Sequence, residues 1–187
     1  MKTYHLQISL DGIKPEIIRE IKINSQCTLY ELHAAIQISM GWFSCHLHEF
    51  EKDGERYGTN DPNGWGEPVI DEKSVILSDM FKQKSSRMSY IYDFGDDWSH
   101  TIKLIDIDDE PIIYPVCTKG KRACPPEDVG GIYGYMNFLE IMSNPDDPEY
   151  EEMLEWSEVE EPFDPDKFEL ESVNKRMVEV FGRKIKQ

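Results

Sequence analysis

A chain of 187 residues with 39% hydrophobic side chains, including 8 Phe, 9 Tyr and 4 Trp, can bury a substantial core, and 30% charged residues do not push it into disorder. Its net charge of −17 repels phosphate backbones and anionic bilayers, so direct nucleic-acid binding is disfavoured. No stretch approaches the roughly 20 apolar residues of a membrane span, and Met1-Lys-Thr-Tyr-His-Leu6 is strand-like with no apolar signal core, so no membrane partner and a cytoplasmic location are expected.

Tyr4, Leu6, Ile8 and Leu10 alternate along a first strand, Asp11-Gly12 turns the chain, and Ile17, Arg19, Ile21 and Ile23 share one face of a second. Thr28-x-x-Glu31 is a capping box for a helix with a stripe of Leu29, Leu32, Ala35, Ile36 and Met40, and Gly41 sits where such a helix stops. His46-Leu-His-Glu-Phe-Glu51 reads as a third strand, turned by Lys52-Asp53-Gly54 towards Arg56-Tyr57. Residues 58–68 are a loop by composition, and 75–82 reads as a short helix starting near Ser78 or Asp79.

The densest stretch runs from Tyr90 to Leu104. Tyr90, Tyr92 and Phe94 alternate into a turn at Gly95-Asp96-Asp97, where glycine tolerates positive φ, and Trp98, His100, Ile102 and Leu104 return on one face to about Ile107. The hairpin gathers Asp93, Asp96, Asp97, Trp98 and His100 around one bend. After a short extended piece over 112–116, residues 117–131 read as a Pro/Gly loop and not as a regular element. Three helices follow: one with Tyr135, Phe138, Leu139 and Met142 inward, one opening at Asp147-Pro148, and one from Ser172 or Val173 with Val173, Met177, Val180 and Phe181 inward. Residues 144–171 hold 13 acidic residues against one lysine. That segment reads as a solvated face, or as a docking surface for a basic partner.

Two long motifs carry a resemblance. Tyr90-x-Tyr-Asp-Phe-Gly-Asp-x-Trp-x-His100 and Gly120-x-Arg-Ala-Cys-Pro-Pro-Glu-Asp-Val-Gly-Gly131-x-x-Gly134-Tyr135, flanked by His46-Leu-His-Glu-Phe50 and by Phe163-Asp-Pro165 with Val173-Asn174, are similar to the Ri-plasmid ORF-3-like family. The resemblance implies an α+β domain without an established activity. Members are often labelled resolvase-like passenger proteins of insertion elements, but neither a serine nucleophile context nor a basic recognition helix is present to match that label.

Several clusters have both a chemical and a structural reading. His46 and His48 lie on one strand face and are weak metal-ligand candidates, with a third ligand from Asp93, Asp97 or His100; alternatively they are partly buried beside Phe50. The acids and His100 at the bend have acid–base potential, or form an Asx-type turn with a hydrogen-bonded histidine. Rigid Pro125-Pro126 can hold Glu127 and Asp128 while Gly130 and Gly131 admit a close neighbour; alternatively one of the acids caps the next helix. Lys119, Lys121 and Arg122 offer an anion contact. Cys117 and Cys124 are too far apart for the usual zinc pairing, and Cys27 and Cys45 add no spacing that changes this, so reduced thiols are expected.

The expected architecture is a single α+β domain over 1–187, sheet-rich over 1–107 and loop-plus-helical over 108–187. A ββαβ roll or β-grasp-like sheet is completed by the central hairpin and followed by a helical C-terminal lobe. The expected function is a non-enzymatic binding or interaction domain, with Tyr92, Asp93, Asp97, Trp98, His100, Glu127 and Asp128 as its candidate surface. The alternative is a metal-dependent, hydrolase-like enzyme using His46, His48, His100 and nearby carboxylates. The sequence names neither ligand nor cofactor.

Overall fold

The structure, a computed structural model, describes residues 1–60, 68–157, 159 and 162–182, so most of the loop expected over 58–68 lies outside the described residues. The chain runs β1 (Thr3–Leu10), β2 (Ile17–Asn24), α1 (Leu29–Met40), β3 (His48–Lys52), β4 (Glu55–Gly58) and β5 (Ile70–Asp71). A single 3₁₀ turn over Glu72–Ser74 leads to α2 (Leu77–Met80), β6 (Arg87–Tyr92), β7 (Trp98–Asp108) and β8 (Val116–Lys121). Then come α3 (Gly131–Met142), α4 (Tyr150–Ser157) and α5 (Leu170–Phe181), giving the expected α+β fold with a helical C-terminal region.

The strands form one sheet in the order β5-β4-β3-β6-β7-β1-β2-β8, antiparallel except for β4–β5. Period-2 alternation sends one set of side chains to a single face. Tyr4, Leu6, Ile8 and Leu10 pair across to Ile23, Ile21, Arg19 and Ile17 on one side, and Leu10, Ile8 and Leu6 to His100, Ile102 and Leu104 on the other. All of these are buried, and the intervening His5, Gln7 and Ser9 are only half-covered.

Helix α1 lays Leu29, Leu32, Ala35 and Ile36, each fully buried, into the same core as those strands. Each such side chain taken from water stabilises the fold by roughly 1–3 kcal/mol, least for the alanine. The capping box forms as read: the Glu31 N–H donates to Thr28 Oγ1 at 3.2 Å and the Thr28 N–H to Glu31 Oε2 at 2.9 Å. Gly41 ends the helix at φ 93°, a left-handed conformation that favours glycine.

Arg19 is the one cation wholly inside the described core. Its guanidinium donates to the carbonyls of Ser39, Ile18 and Lys121 at 2.7, 2.8 and 3.0 Å and to Cys124 Sγ at 3.3 Å, beneath the Phe168 ring 4.2 Å away. Gly120, opposite Arg19 in the ladder, leaves room for that ring, since a Cβ there would sit 2.3 Å from Phe168.

Several expectations need correction. Residues 116–121 are a strand paired with β2, not the start of an irregular loop, whereas 112–115 are irregular. Strand β3 begins at His48, which leaves His46 in the irregular segment before it. At the hairpin tip Asp93 and Asp97 take the positive φ values, 58° and 54°, and Gly95 does not. Aspartate can occupy this region because its short side chain bonds locally, here Asp93 Oδ1 to the Gly95 N–H at 2.9 Å. Helix α2 is a single turn, Leu77–Met80, inside the 75–82 stretch and begins one or two residues before the Ser78 or Asp79 start, and in α5 Met177 and Phe181 are buried while Val180 is exposed.

Candidate functional site

The hairpin and the Pro-Pro-Glu-Asp loop meet, and the chain between α1 and β3 is the third party to the contact. Tyr92 comes through the core from β6, and its hydroxyl donates to Glu127 Oε1 while accepting the Cys45 N–H at 3.1 Å. The Glu127 carboxylate also accepts the Phe43 N–H at 3.2 Å and the Cys45 thiol at 3.3 Å. Trp42, directly after the helix stop, donates its indole N–H to the Pro125 carbonyl at 3.0 Å and stacks on Tyr92 with centroids 5.0 Å apart. Burial and the Glu127 carboxylate push the Tyr92 hydroxyl and the Cys45 thiol upward, so both keep their protons at neutral pH.

The glycines of the loop make the approach possible. The Gly130 N–H donates to Asp96 Oδ2 at 3.1 Å, and a Cβ on Gly131, at φ 67°, would lie 2.6 Å from the Asp96 carbonyl oxygen. Gly134 admits the Val129 carbonyl, which would stand 1.8 Å from a Cβ. The close neighbour of the loop is therefore the hairpin itself.

Beside this joint lies a cleft of about 530 Å³ between α1, the 42–48 segment and α5. His33 of α1 and His48 of β3 stack in it, centroids 3.5 Å apart and planes within 6°. His33 Nδ1 bonds the Tyr90 hydroxyl at 2.8 Å and its Nε2 the Ser44 hydroxyl. His48 Nε2 meets Glu72 at 2.8 Å, and that wholly buried carboxyl also accepts from Thr59 Oγ1 at 3.1 Å. Burial, with His48 adjacent, drives the His33 pKa down to about 3, so the imidazole is neutral at physiological pH. Tyr30, Trp42 and Phe43 line the walls; Lys73 rests over the Tyr30 ring at 4.9 Å and Arg176 over Phe43 at 5.9 Å. A second hollow, also about 530 Å³, lies along Phe43, Glu127 and the partly exposed Trp156 of α4.

At the edge of the first cleft, His46 Nε2 lies 3.2 Å from Asp128 Oδ1 and 3.8 Å from Asp93 Oδ2. The nitrogen is shut off from solvent, and neither carboxylate is aligned to hydrogen-bond it. Cys45, His46 and Glu127 form an overlapping group whose ligand atoms also lie within 4.8 Å of one another.

The residues read from sequence thus divide. Tyr92, Asp93, Glu127 and Asp128 converge on the joint, whereas Asp97 stays at the exposed tip, accepting the Ser99 hydroxyl at 3.0 Å. Trp98 and His100 are core residues, each 1% exposed, below the surface rather than on it. Neither His100 ring nitrogen makes a hydrogen bond among the described residues. Burial lowers its pKa to about 4, against a smaller upward pull from the Trp98 and Tyr90 carbonyls. His46, His48 and His100 do not share a centre: the first faces Asp93 and Asp128, the second Glu72, the third the interior. Of the anion-contact candidates, Arg122 pairs with Asp166 at 2.9 Å and Lys119 with Glu20 at 3.2 Å, each already matched to an acid of this chain.

The sequence reading passed over Trp42, Phe43, Ser44, His33 and Glu72. A tryptophan placed directly after a helix-stopping glycine was the available signal for the first. Phe43 acts through its backbone N–H, Ser44 and Glu72 act from a loop and a single turn with no period to mark them, and His33 sits on α1 outside the apolar stripe that announces that helix.

The family model for plasmid pRiA4b ORF-3-like proteins matches residues 2–172. An uncharacterised protein of Sinorhizobium fredii, y4hQ, is 35% identical over 158 residues, covering 81% of this chain and 78% of its own. Among solved structures, a protein of unknown function from Methanosarcina mazei, MM3350, superposes with a TM-score of 0.78 at 40% identity, over 91% of this chain and 96% of that one.

Proposed function

This chain belongs to the plasmid pRiA4b ORF-3-like family, and we propose that it is a non-enzymatic binding domain whose cleft between α1 and α5 takes a small amphipathic ligand with an aromatic body and one anionic end. The carrying observation is the cleft itself: aromatic walls, a floor of polar groups already bonded to one another, and Lys73 and Arg176 over two of its rings in a chain of net charge −17. Walls whose polar groups, the His46 nitrogen apart, are already bonded favour binding because little has to be ordered when the ligand arrives. Proton transfer at neutral pH is poorly served by His33, His100 or Tyr92, whose pKa values stand far from 7. The hydrolase-like alternative draws on His46, His48, His100 and nearby carboxylates together, and the three rings face different places.

The test is a thermal-shift panel of aromatic carboxylates, each paired with its neutral amide, on protein without an affinity tag. The carboxylates are expected to raise Tm more than the amides, and Arg176→Glu to remove most of that difference. Equal shifts for acid and amide, or shifts unaltered by Arg176→Glu, would overturn the reading.

A further inference from the structure

We propose that His46, Asp93 and Asp128 form a site for one divalent transition-metal ion of the zinc class, held by the imidazole Nε2 and one oxygen from each carboxylate. A tetrahedral shell with bonds of about 2.0–2.2 Å places neighbouring donor atoms roughly 3.4 Å apart. The two distances from His46 Nε2, 3.2 and 3.8 Å, bracket that value, and all three ligand atoms lie within 4.8 Å of one another. The nitrogen is buried without a hydrogen bond among the described residues although two carboxylates stand beside it. A metal in the gap would use all three groups at once and leave a fourth position open towards the cleft, which His46 also lines.

The neighbouring group is the weaker candidate. Cys45 gives its S–H to Glu127, and Glu127 already accepts from Tyr92 and Phe43, so both would have to surrender existing bonds. In the chosen set Asp93 Oδ1 alone is engaged among the described residues, by the Gly95 N–H, leaving Oδ2 towards His46. One nitrogen and two oxygens suit zinc or manganese better than a copper(I) or iron–sulfur centre, which ask for sulfur. The three ligands come from the segment before β3, the hairpin and the Pro-Pro-Glu-Asp loop, so an ion would fasten the joint at its rim. The inference is independent of the organic ligand proposed above, because metal content is measured without one.

Protein without a polyhistidine tag, stripped with EDTA, loaded with zinc chloride and gel-filtered, is expected to retain one equivalent by elemental analysis. Asp93→Asn with Asp128→Asn should weaken retention by well over tenfold, as should His46→Gln. Asparagine keeps the shape and tolerates the positive φ of both positions, 58° and 59°, so the fold, followed by circular dichroism, should persist. His48→Gln, facing Glu72, should retain the metal in full. Cobalt(II) in place of zinc should give a spectrum without a thiolate charge-transfer band. Retention well below one equivalent in the wild type, full retention in the double variant, or a thiolate band lost in Cys45→Ser would each overturn the assignment.

Discussion

Tyr92 leaves the aromatic interior of the sheet and ends in the one hydroxyl that touches both other parts of the joint, accepting from the Cys45 N–H and donating to Glu127. Tyr92→Phe keeps the ring stacked on Trp42 but strands the Cys45 N–H in a partly buried place, so a loss of about 1–2 kcal/mol is expected in urea denaturation, with the m-value unchanged. A change in m would instead mean that the joint opens in the native state. Two histidines set the acid limit. In the unfolded chain both titrate near about 6.5, whereas burial holds His33 at about 3, with His48 adding to the effect, and His100 at about 4. The folded state binds fewer protons between those values, so their contribution is complete above about pH 6.5 and is lost as pH falls, towards about 4 for His100 and about 3 for His33. The slope is up to about 1.4 kcal/mol per pH unit for each histidine. Thermal melts across pH 4–8 should show this decline, and His100→Leu, which removes one titrating ring, should flatten it; an equally steep decline in that variant would exclude His100 as a contributor.

Elements announced by a period were legible from the chain, and elements made by a partner were not. The α1 capping box, its stripe and its glycine stop were all readable, because each satisfies the helix from within. Strand β8 was missed because Thr118, Lys119 and Lys121 face solvent and Cys117 alone of its residues is buried, so no alternation of apolar residues marks it. Its edge is completed by a side chain. The Asn174 amide of α5 accepts the Cys117 N–H and donates to the Cys117 carbonyl, both at 2.8 Å, and so imitates one residue of a neighbouring strand. Asn174→Ala should cost roughly 1–3 kcal/mol by leaving two backbone groups open, and should loosen α5. Hydrogen exchange is expected to rise at Cys117 and along α5; if it rises only at Cys117, the amide does not hold the helix. The same division explains the site: the hairpin and loop motifs stood out as chemistry and meet directly, but the 42–45 segment joins them through the Cys45 and Phe43 N–H groups, which any residue except proline can supply.

Across the whole molecule charge opposes compaction. Of the acidic segment, Tyr150 is buried, and Met153, Leu154, Phe163 and Phe168 pack against the core, so its carboxylates are held close to one another instead of drifting apart. Screening should relieve that repulsion, and Tm is expected to rise by a few degrees between 20 mM and about 300 mM sodium chloride, where the Debye length shrinks to well under 10 Å. A flat or falling Tm would mean that ion pairs such as Arg122–Asp166 outweigh the repulsion. The buried Arg19 bears on where such a chain can be cut. Its guanidinium needs oxygen from β2, from the end of α1 and from β8, sulfur from Cys124, and the ring of Phe168 as a roof. A fragment stopped at residue 107 would contain the cation and two of those five groups, the Ile18 and Ser39 carbonyls, with a permanent charge facing an unfinished interior. A cut between the sheet-rich and the helical stretch is therefore expected to leave a fragment that does not fold, and minimal versions of this protein will have to be shortened at some other place.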